Sequence, residues 1–231
     1  LDKFANEISK ICGGFCTLTS SGSSALHTSL LALNVQKNDL VICPSYTFIA
    51  PVNAIKLVGA SPWFFDINEK NWAINEDLLE KELKKNTFKN KFNETIHRKT
   101  RKRVSVIIVV YTLGLPANMN KIKKISKKFN LKILVDAACA IGSRINKKKI
   151  SAMGADLSIL SFNANKIITS GGGGAIITNN KKLYNLTKHL SSNAKLNHKD
   201  YEYDLIGYNH RMNNIQAAIG FAQIKKIKIF L

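Results

Sequence analysis

The sequence predicts an α/β fold of three layers, αβα, around a mostly parallel central sheet. Two observations predict it. Strand and helix signals alternate through most of the 231 residues, and the strongest apolar runs, Val104 to Val110, Leu131 to Val135 and Leu157 to Phe162, lack the polar alternation of a half-exposed strand. A strand that is apolar at nearly every position is covered on both faces, the condition of a parallel sheet held between helices. A chain of this length buries roughly 70% of its unfolded surface, enough for a core without disulfides.

The elements follow in order. Leu1 to Ile8 reads as an amphipathic helix already under way; with no initiator Met and no signal peptide, the expectation is a fragment. Ala25, Leu26, Leu30 and Leu33 share a helical face after Ser21-Gly22, and Leu40 to Cys43 is a short strand stopped by Pro44. A helix is expected over Pro51 to Val58, a strand over Pro62 to Phe65 ending in Asp66, and a helix over Glu76 to Lys85. The dense basic run Lys89 to Arg103 reads as a solvated loop before the Val104 strand. Met119, Ile122, Ile125 and Phe129 recur at spacings of three and four, giving a helix whose outer face is Lys. Ala175 to Thr178 is a strand entered from four glycines, and Leu183 to Leu190 and Ile215 to Ile229 read as closing helices.

Composition excludes several classes. Hydrophobic content of 45% with 22% charged residues rules out wholesale disorder. The longest apolar run, Val104 to Leu113, is broken by Ser105 and Thr112 and falls short of the roughly 20 residues of a membrane span, so no membrane partner is expected. The net charge of +20 invites a nucleic-acid reading, but 30 of the 35 cations are Lys and only five are Arg, the residue favoured where phosphates are gripped bidentately. No nucleic-acid partner is expected. Of Cys12, Cys16, Cys43 and Cys139, Cys12 and Cys16 have no paired Cys or His at ligand spacing downstream, so no metal site is expected; the four read as reduced thiols of a cytoplasmic protein.

Polar residues that follow the strands converge. Asp136 comes directly after the Leu131 run and Lys166 soon after the Leu157 run, so both emerge at the carboxyl edge of the sheet, where α/β proteins bind ligands. Such a pair reads as a structural ion pair or as catalytic groups. Ser21-Gly22-Ser23-Ser24 precedes a helix and reads as a plain cap or as an anion site. Gly171 to Gly174 allows either a tight turn or close approach to a ligand.

The order of these pieces resembles a known family. Ser21-Gly22-Ser23-Ser24-Ala25-Leu26-His27, Pro44-Ser45-Tyr46-Thr47-Phe48, Gly114-Leu115-Pro116-Ala117-Asn118-Met119, Asp136-Ala137-Ala138, Ser161-Phe162-Asn163-Ala164-Asn165-Lys166, Gly171-Gly172-Gly173-Gly174-Ala175 and Gly207-Tyr208-Asn209-His210-Arg211-Met212 together resemble the DegT-type nucleotide-sugar aminotransferases, pyridoxal-phosphate enzymes of fold type I. The resemblance runs from about residue 1 to about residue 226. It implies that residues 1–231 are the cofactor-binding large domain, without an amino-terminal segment and a small carboxy-terminal domain.

The resemblance also implies roles. Lys166 would form the Schiff base with pyridoxal 5′-phosphate and shuttle a proton, and Asp136 would hydrogen-bond the pyridine nitrogen. Phe48, which on sequence alone is equally a core residue, would stack on the ring. Gly22, Ser23, Ser24 and Ser161 would cradle the phosphate, and Asn209 would reach it from the other subunit of a homodimer. The branch most resembled makes UDP-4-amino-4,6-dideoxy-N-acetylglucosamine for surface glycans such as lipopolysaccharide, from a 4-keto-6-deoxy nucleotide sugar and an amino-acid donor, glutamate. Alternatives are a 3-keto sugar substrate, or a catalytically silent truncated fold that binds cofactor weakly or a partner chain. Three departures stand out: Tyr111 replaces the usual His, Cys139 the usual Gln or Glu, and Asn118, at an expected helix cap, the usual Asp.

Overall fold

The computed structural model describes residues 1–196 and 201–231. The apolar runs become the middle of one sheet. In chain order the elements are α1 (Asp2–Cys12), β1 (Phe15–Thr19), α2 (Gly22–Ala32), β2 (Leu40–Pro44), α3 (Ile49–Leu57), β3 (Ser61–Phe65), α4 (Glu76–Asn86), β4 (Thr87–Lys89), β5 (Thr95–His97), β6 (Arg103–Val110), α5 (Met119–Phe129), β7 (Lys132–Asp136), β8 (Leu157–Ser161), β9 (Gly174–Thr178), α6 (Lys181–Leu190), α7 (Asn214–Ile224) and α8 (Ile227–Phe230). The sheet runs β1-β9-β8-β7-β6-β2-β3. Its middle and one edge, β8-β7-β6-β2-β3, are parallel, and β9 lies antiparallel between β8 and β1.

Both faces are covered, as the unbroken apolar runs require. One face carries Ile107, Val109, Ile133 and Val135 against α1, α4, α5 and α7; the other carries Val106, Ile108, Leu134 and Ile159 against α2, α3 and α6. Val106, Ile107, Ile108 and Val109 of β6 are fully buried. The register between β2 and β6 slips by one residue, Leu40 pairing Val104 and Val41 pairing Val106. Ser105 is the extra residue of that bulge, and its hydroxyl is buried without a partner.

Two expectations are corrected. The basic run is not a loop: β4 and β5 form an antiparallel hairpin, and β5 pairs with the start of β6. Phe88 anchors it, with the guanidinium carbons of Arg101 and Arg98 at 4.7 and 5.7 Å from its ring centre. Arg103 is spent on Asp39, by hydrogen bonds of 3.0 and 2.6 Å. The closing helix breaks into α7 and α8 at Lys225–Lys226.

Helix starts follow cap chemistry. Ser21, Asn75, Asn118, Asn180 and Asn213 each accept a backbone N–H of the first turn they precede. Asn118 therefore caps α5 as expected, taking the Lys121 N–H. The fold brings the start of α2 and the carboxyl ends of β6, β7 and β8 to one edge of the sheet.

Candidate active site

A cavity of about 690 Å³ opens at that edge. Gly22 and Ser23 from the start of α2, Phe48 from the turn after β2, Asp136 from the end of β7, Ser161 from the end of β8, and Lys166 all line it. Gly172 and Gly173 close one side, where Gly174 lets β9 pass the start of α2: a Cβ there would meet the Ser21 carbonyl oxygen at 2.6 Å and the Gly22 nitrogen at 2.8 Å. The glycines thus serve close approach of backbone to backbone.

Asp136 is 7% exposed, and Oδ1 accepts the Ala138 N–H at 3.0 Å. Burial pushes its carboxyl above the usual range, an effect partly offset by that hydrogen bond and by the charge of Lys166. The same carboxylate contributes, after burial itself, to pushing the Cys43 thiol up to about 12. Lys166 donates from Nζ to Cys139 Sγ at 3.1 Å. Phe48 is 77% exposed, so it is not a core residue but a ring standing at the cavity mouth. Tyr46 and Leu113 flank it on the lining, and Tyr46 packs edge-on against Trp72 at 5.5 Å.

Ser23 and Ser24 separate in role. Ser23 is exposed on the cavity wall, whereas Ser24 is not on the lining: its N–H goes to Ser21 Oγ at 3.0 Å and its hydroxyl shares 2.9 Å hydrogen bonds with Ser20 and Ser21. Ser24 thus holds the turn that aims Gly22 and Ser23. Asn209 is exposed and lies off the cavity of its own chain. Its segment is stitched to that chain by bridges Ser192–Asn209 and Thr19–Arg211 and by Ser20 N–H to His210 O at 2.7 Å. The connection does not leave its subunit as a free arm.

Two departures have different fates. Tyr111 lines the cavity but is 2% exposed and donates its hydroxyl to Met153 Sδ at 3.5 Å, away from Asp136; burial pushes its phenol upward. Cys139 faces Lys166. The sequence also left Thr47 unassigned, although its hydroxyl is buried without a hydrogen-bond partner on the same wall.

These groups fit pyridoxal phosphate. A buried carboxylate with one N–H partner suits a protonated ring nitrogen, and an exposed aromatic ring suits stacking. The N-terminal amides of α2 suit a phosphate, and a lysine amine on the facing wall suits an aldehyde. Among the described residues no cluster suited to a metal is present, and no helix is long and apolar enough to cross a membrane.

Comparison with known proteins agrees. The model of the DegT/DnrJ/EryC1/StrS aminotransferase family matches residues 1–231. The chain is 37% identical over 217 residues to GDP-perosamine synthase of Escherichia coli O157:H7, covering 94% of this chain and 55% of that protein. It is 35% identical over 215 residues to UDP-4-amino-4,6-dideoxy-N-acetyl-beta-L-altrosamine transaminase of Campylobacter jejuni, covering 92% and 52%. Among solved structures, a DegT DnrJ EryC1 StrS aminotransferase from Brucella abortus superposes with a TM-score of 0.88 at 26% identity, covering 99% of this chain and 58% of that one. NtdA of Bacillus subtilis, with bound cofactor PMP, superposes with a TM-score of 0.84 at 28% identity, covering 99% and 48%. The chain spans little more than half the length of the curated relatives it matches.

Proposed function

The chain belongs to the DegT/DnrJ/EryC1/StrS family of pyridoxal-phosphate-dependent aminotransferases, and from that premise we propose that it transfers an amino group, from glutamate, to a 4-keto-6-deoxy nucleotide sugar. The observation that carries the proposal is the convergence of Lys166, Asp136, Phe48, Gly22, Ser23 and Ser161 on one cavity. When bound there, pyridoxal phosphate supplies an electron sink for the carbon that loses its proton. Asp136 holds the ring-nitrogen proton; its raised affinity for protons in the bare site marks a carboxylate that gains when a cation faces it. Lys166 would anchor the cofactor through its aldehyde carbon and, as a freed amine, its Nζ would move a proton between the cofactor carbon and the carbon of the amino donor in one half-reaction, and between the cofactor carbon and the sugar carbon in the other. Gly22 and Ser23 amides with Ser161 Oγ would hold the phosphate, and Phe48 would stack on the ring.

The sugar follows from the relatives' names only in outline, since they include both GDP- and UDP-linked products. We propose a UDP-N-acetyl sugar, giving a UDP-4-amino-4,6-dideoxy-N-acetylglucosamine type product for surface polysaccharide, with the GDP-linked sugar as its competitor. Residues 1–231 act as the cofactor-binding large domain of a cytoplasmic homodimer in which Asn209 faces the partner's phosphate. Free thiols at Cys12, Cys16, Cys43 and Cys139 suit a reducing compartment.

The test is cofactor loading followed by turnover. Borohydride reduction should fix the cofactor on the Lys166 peptide, and Lys166→Ala should abolish both the fixed label and the visible band. Glutamate with each 4-keto-6-deoxy nucleotide then gives an aminated product by mass. Label at another peptide defeats the site, loading without amination favours the silent fold, and amination of the GDP sugar or a 3-keto sugar alone corrects the substrate.

A further inference from the structure

Lys166 has two jobs in the proposed reaction, and the second demands control of an amine that is bonded to nothing. Once displaced, it must stay beside the reacting carbon and must give up a proton readily enough to act as a base. The titratable groups that share its cavity are Asp136 at the end of β7, Tyr111 after β6, Tyr46 after β2 and Cys139. Asp136 feels the charge of Lys166 but accepts its hydrogen bond from the Ala138 N–H and not from Nζ, and the Tyr111 hydroxyl is turned to Met153. Tyr46 stands at the rim against Trp72. Cys139 is the group in hydrogen-bond contact with Nζ, at 3.1 Å.

The backbone that carries the sulfur is itself held in place. It sits in the turn that follows Asp136, closed by the Ala140 N–H to Ala137 O at 2.8 Å. The turn after β6 presses on it: Gly114, at φ +86°, approaches so closely that a Cβ would lie 2.7 Å from the Cys139 carbonyl oxygen. Ser143 Oγ donates to the Gly114 carbonyl at 2.8 Å and locks the two turns together. The other cysteines, Cys12, Cys16 and Cys43, are buried elsewhere in the core.

We propose that Cys139 is a positioning residue for the free Lys166 amine, holding Nζ at the cavity wall through a weak, uncharged acceptor. A thiol accepts a hydrogen bond feebly, so it orients the amine without adding to Asp136 a second carboxylate whose attraction would keep it an ammonium. The role rests on the proposed aminotransferase reading; the contact itself does not.

The experiment measures the amine directly. The full chain, in its aminated-cofactor form and again after removal of cofactor, is labelled with a trace of acetic anhydride across a range of pH, and acetylation at Lys166 is read by peptide mass. Cys139→Asp should raise the midpoint by about one unit, a roughly tenfold loss of labelling at a fixed pH below it. Cys139→Ser, an uncharged acceptor of similar size, should keep the wild-type midpoint, with circular dichroism confirming that each variant folds. A midpoint that does not move in Cys139→Asp, or that moves equally in Cys139→Ser, overturns the proposal. Borohydride fixing in a parallel sample reloaded with pyridoxal phosphate separates the two readings: failure to fix it at Lys166 with the midpoints as expected sinks the cofactor assignment and leaves the contact standing.

Discussion

A carboxylate 7% exposed with one N–H partner is costly in a protein that has not bound its cofactor. Because burial raises the folded-state pKa of Asp136 above its ordinary 3.8, its ionisation opposes folding: the contribution is most favourable below that value and is lost as pH rises through the folded pKa. Asp136→Asn should therefore raise the melting temperature of the cofactor-free chain at pH 7, with the gain shrinking as pH falls toward 3.8. Loaded with cofactor the order should reverse. The half-reaction with glutamate should slow by at least about 100-fold, the scale of losing one preorganised electrostatic group, while borohydride still traps cofactor on Lys166. Unchanged half-reaction rates in Asp136→Asn would defeat the assignment. Lys166 and Asp136 are legible in the sequence because each follows a run whose burial fixes its direction. The Cys139 contact is not legible, because it depends on a turn pressed in place by Gly114 from another strand.

Among the elements, α2 is where sheet and site meet. Its start lies so close to β9 that Gly174→Ala must displace backbone rather than a flexible side chain, the added Cβ facing the Ser21 carbonyl oxygen at 2.6 Å. That variant should lose cofactor affinity as well as stability. Ser21→Ala, which removes the cap on the Ser24 N–H and the hydroxyl contact with Ser24, should cost about 1 kcal/mol and spare the sheet. Denaturant melts of both, with cofactor titrations, separate the two effects. The middle of α2 holds a histidine cluster: His27 lies 4.7 Å from Tyr208 and 5.4 Å from His210, and Thr28 Oγ1 shares a 3.1 Å hydrogen bond with His210 Nδ1. Burial first, then the charge of His210, lowers His27 to about 4, and burial lowers His210. Both are bases with depressed folded pKa, so their stabilisation is complete above 6.5 and falls away below it, for His27 as pH drops toward 4. His27→Phe should flatten the melting temperature between those limits, and a slope equal to wild type would show that His27 carries none of it. The strands of the sheet are unequally legible. β6, β7 and β8 announce themselves because both faces are covered, whereas β4 and β5 are three-residue strands whose pairing, not their pattern, defines them. β1 was missed because Thr17 and Thr19 interrupt it, although both are buried. The antiparallel sense of β9 leaves no mark on composition.

For the whole molecule, the question is what completes a cavity whose stacking ring is 77% exposed. Phe48 is not alone: Leu113, on the same lining, is 84% exposed, and Ile49 and Leu115, close to the two in sequence, are 57% and 51% exposed. A surface of this kind fits a second copy, and two-fold symmetry would bring each copy's exposed Asn209 to the other's cavity or to neither. The clamped backbone around Asn209 sharpens this expectation, since a segment fixed to its own chain delivers its side chain outward at a defined place instead of folding back as a lid. Mixing Lys166→Ala chains with Asn209→Ala chains tests it. In a hybrid dimer with shared sites, one site lacks both residues and the other keeps both, so the mixture should be more active than the sum of its parents. With sites confined to single chains, every site in the hybrid lacks one residue, and mixing adds nothing. Co-purification of differently tagged chains shows that hybrids formed. Hybrids without added activity would assign Asn209 to its own chain and leave the phosphate to Gly22, Ser23 and Ser161 alone.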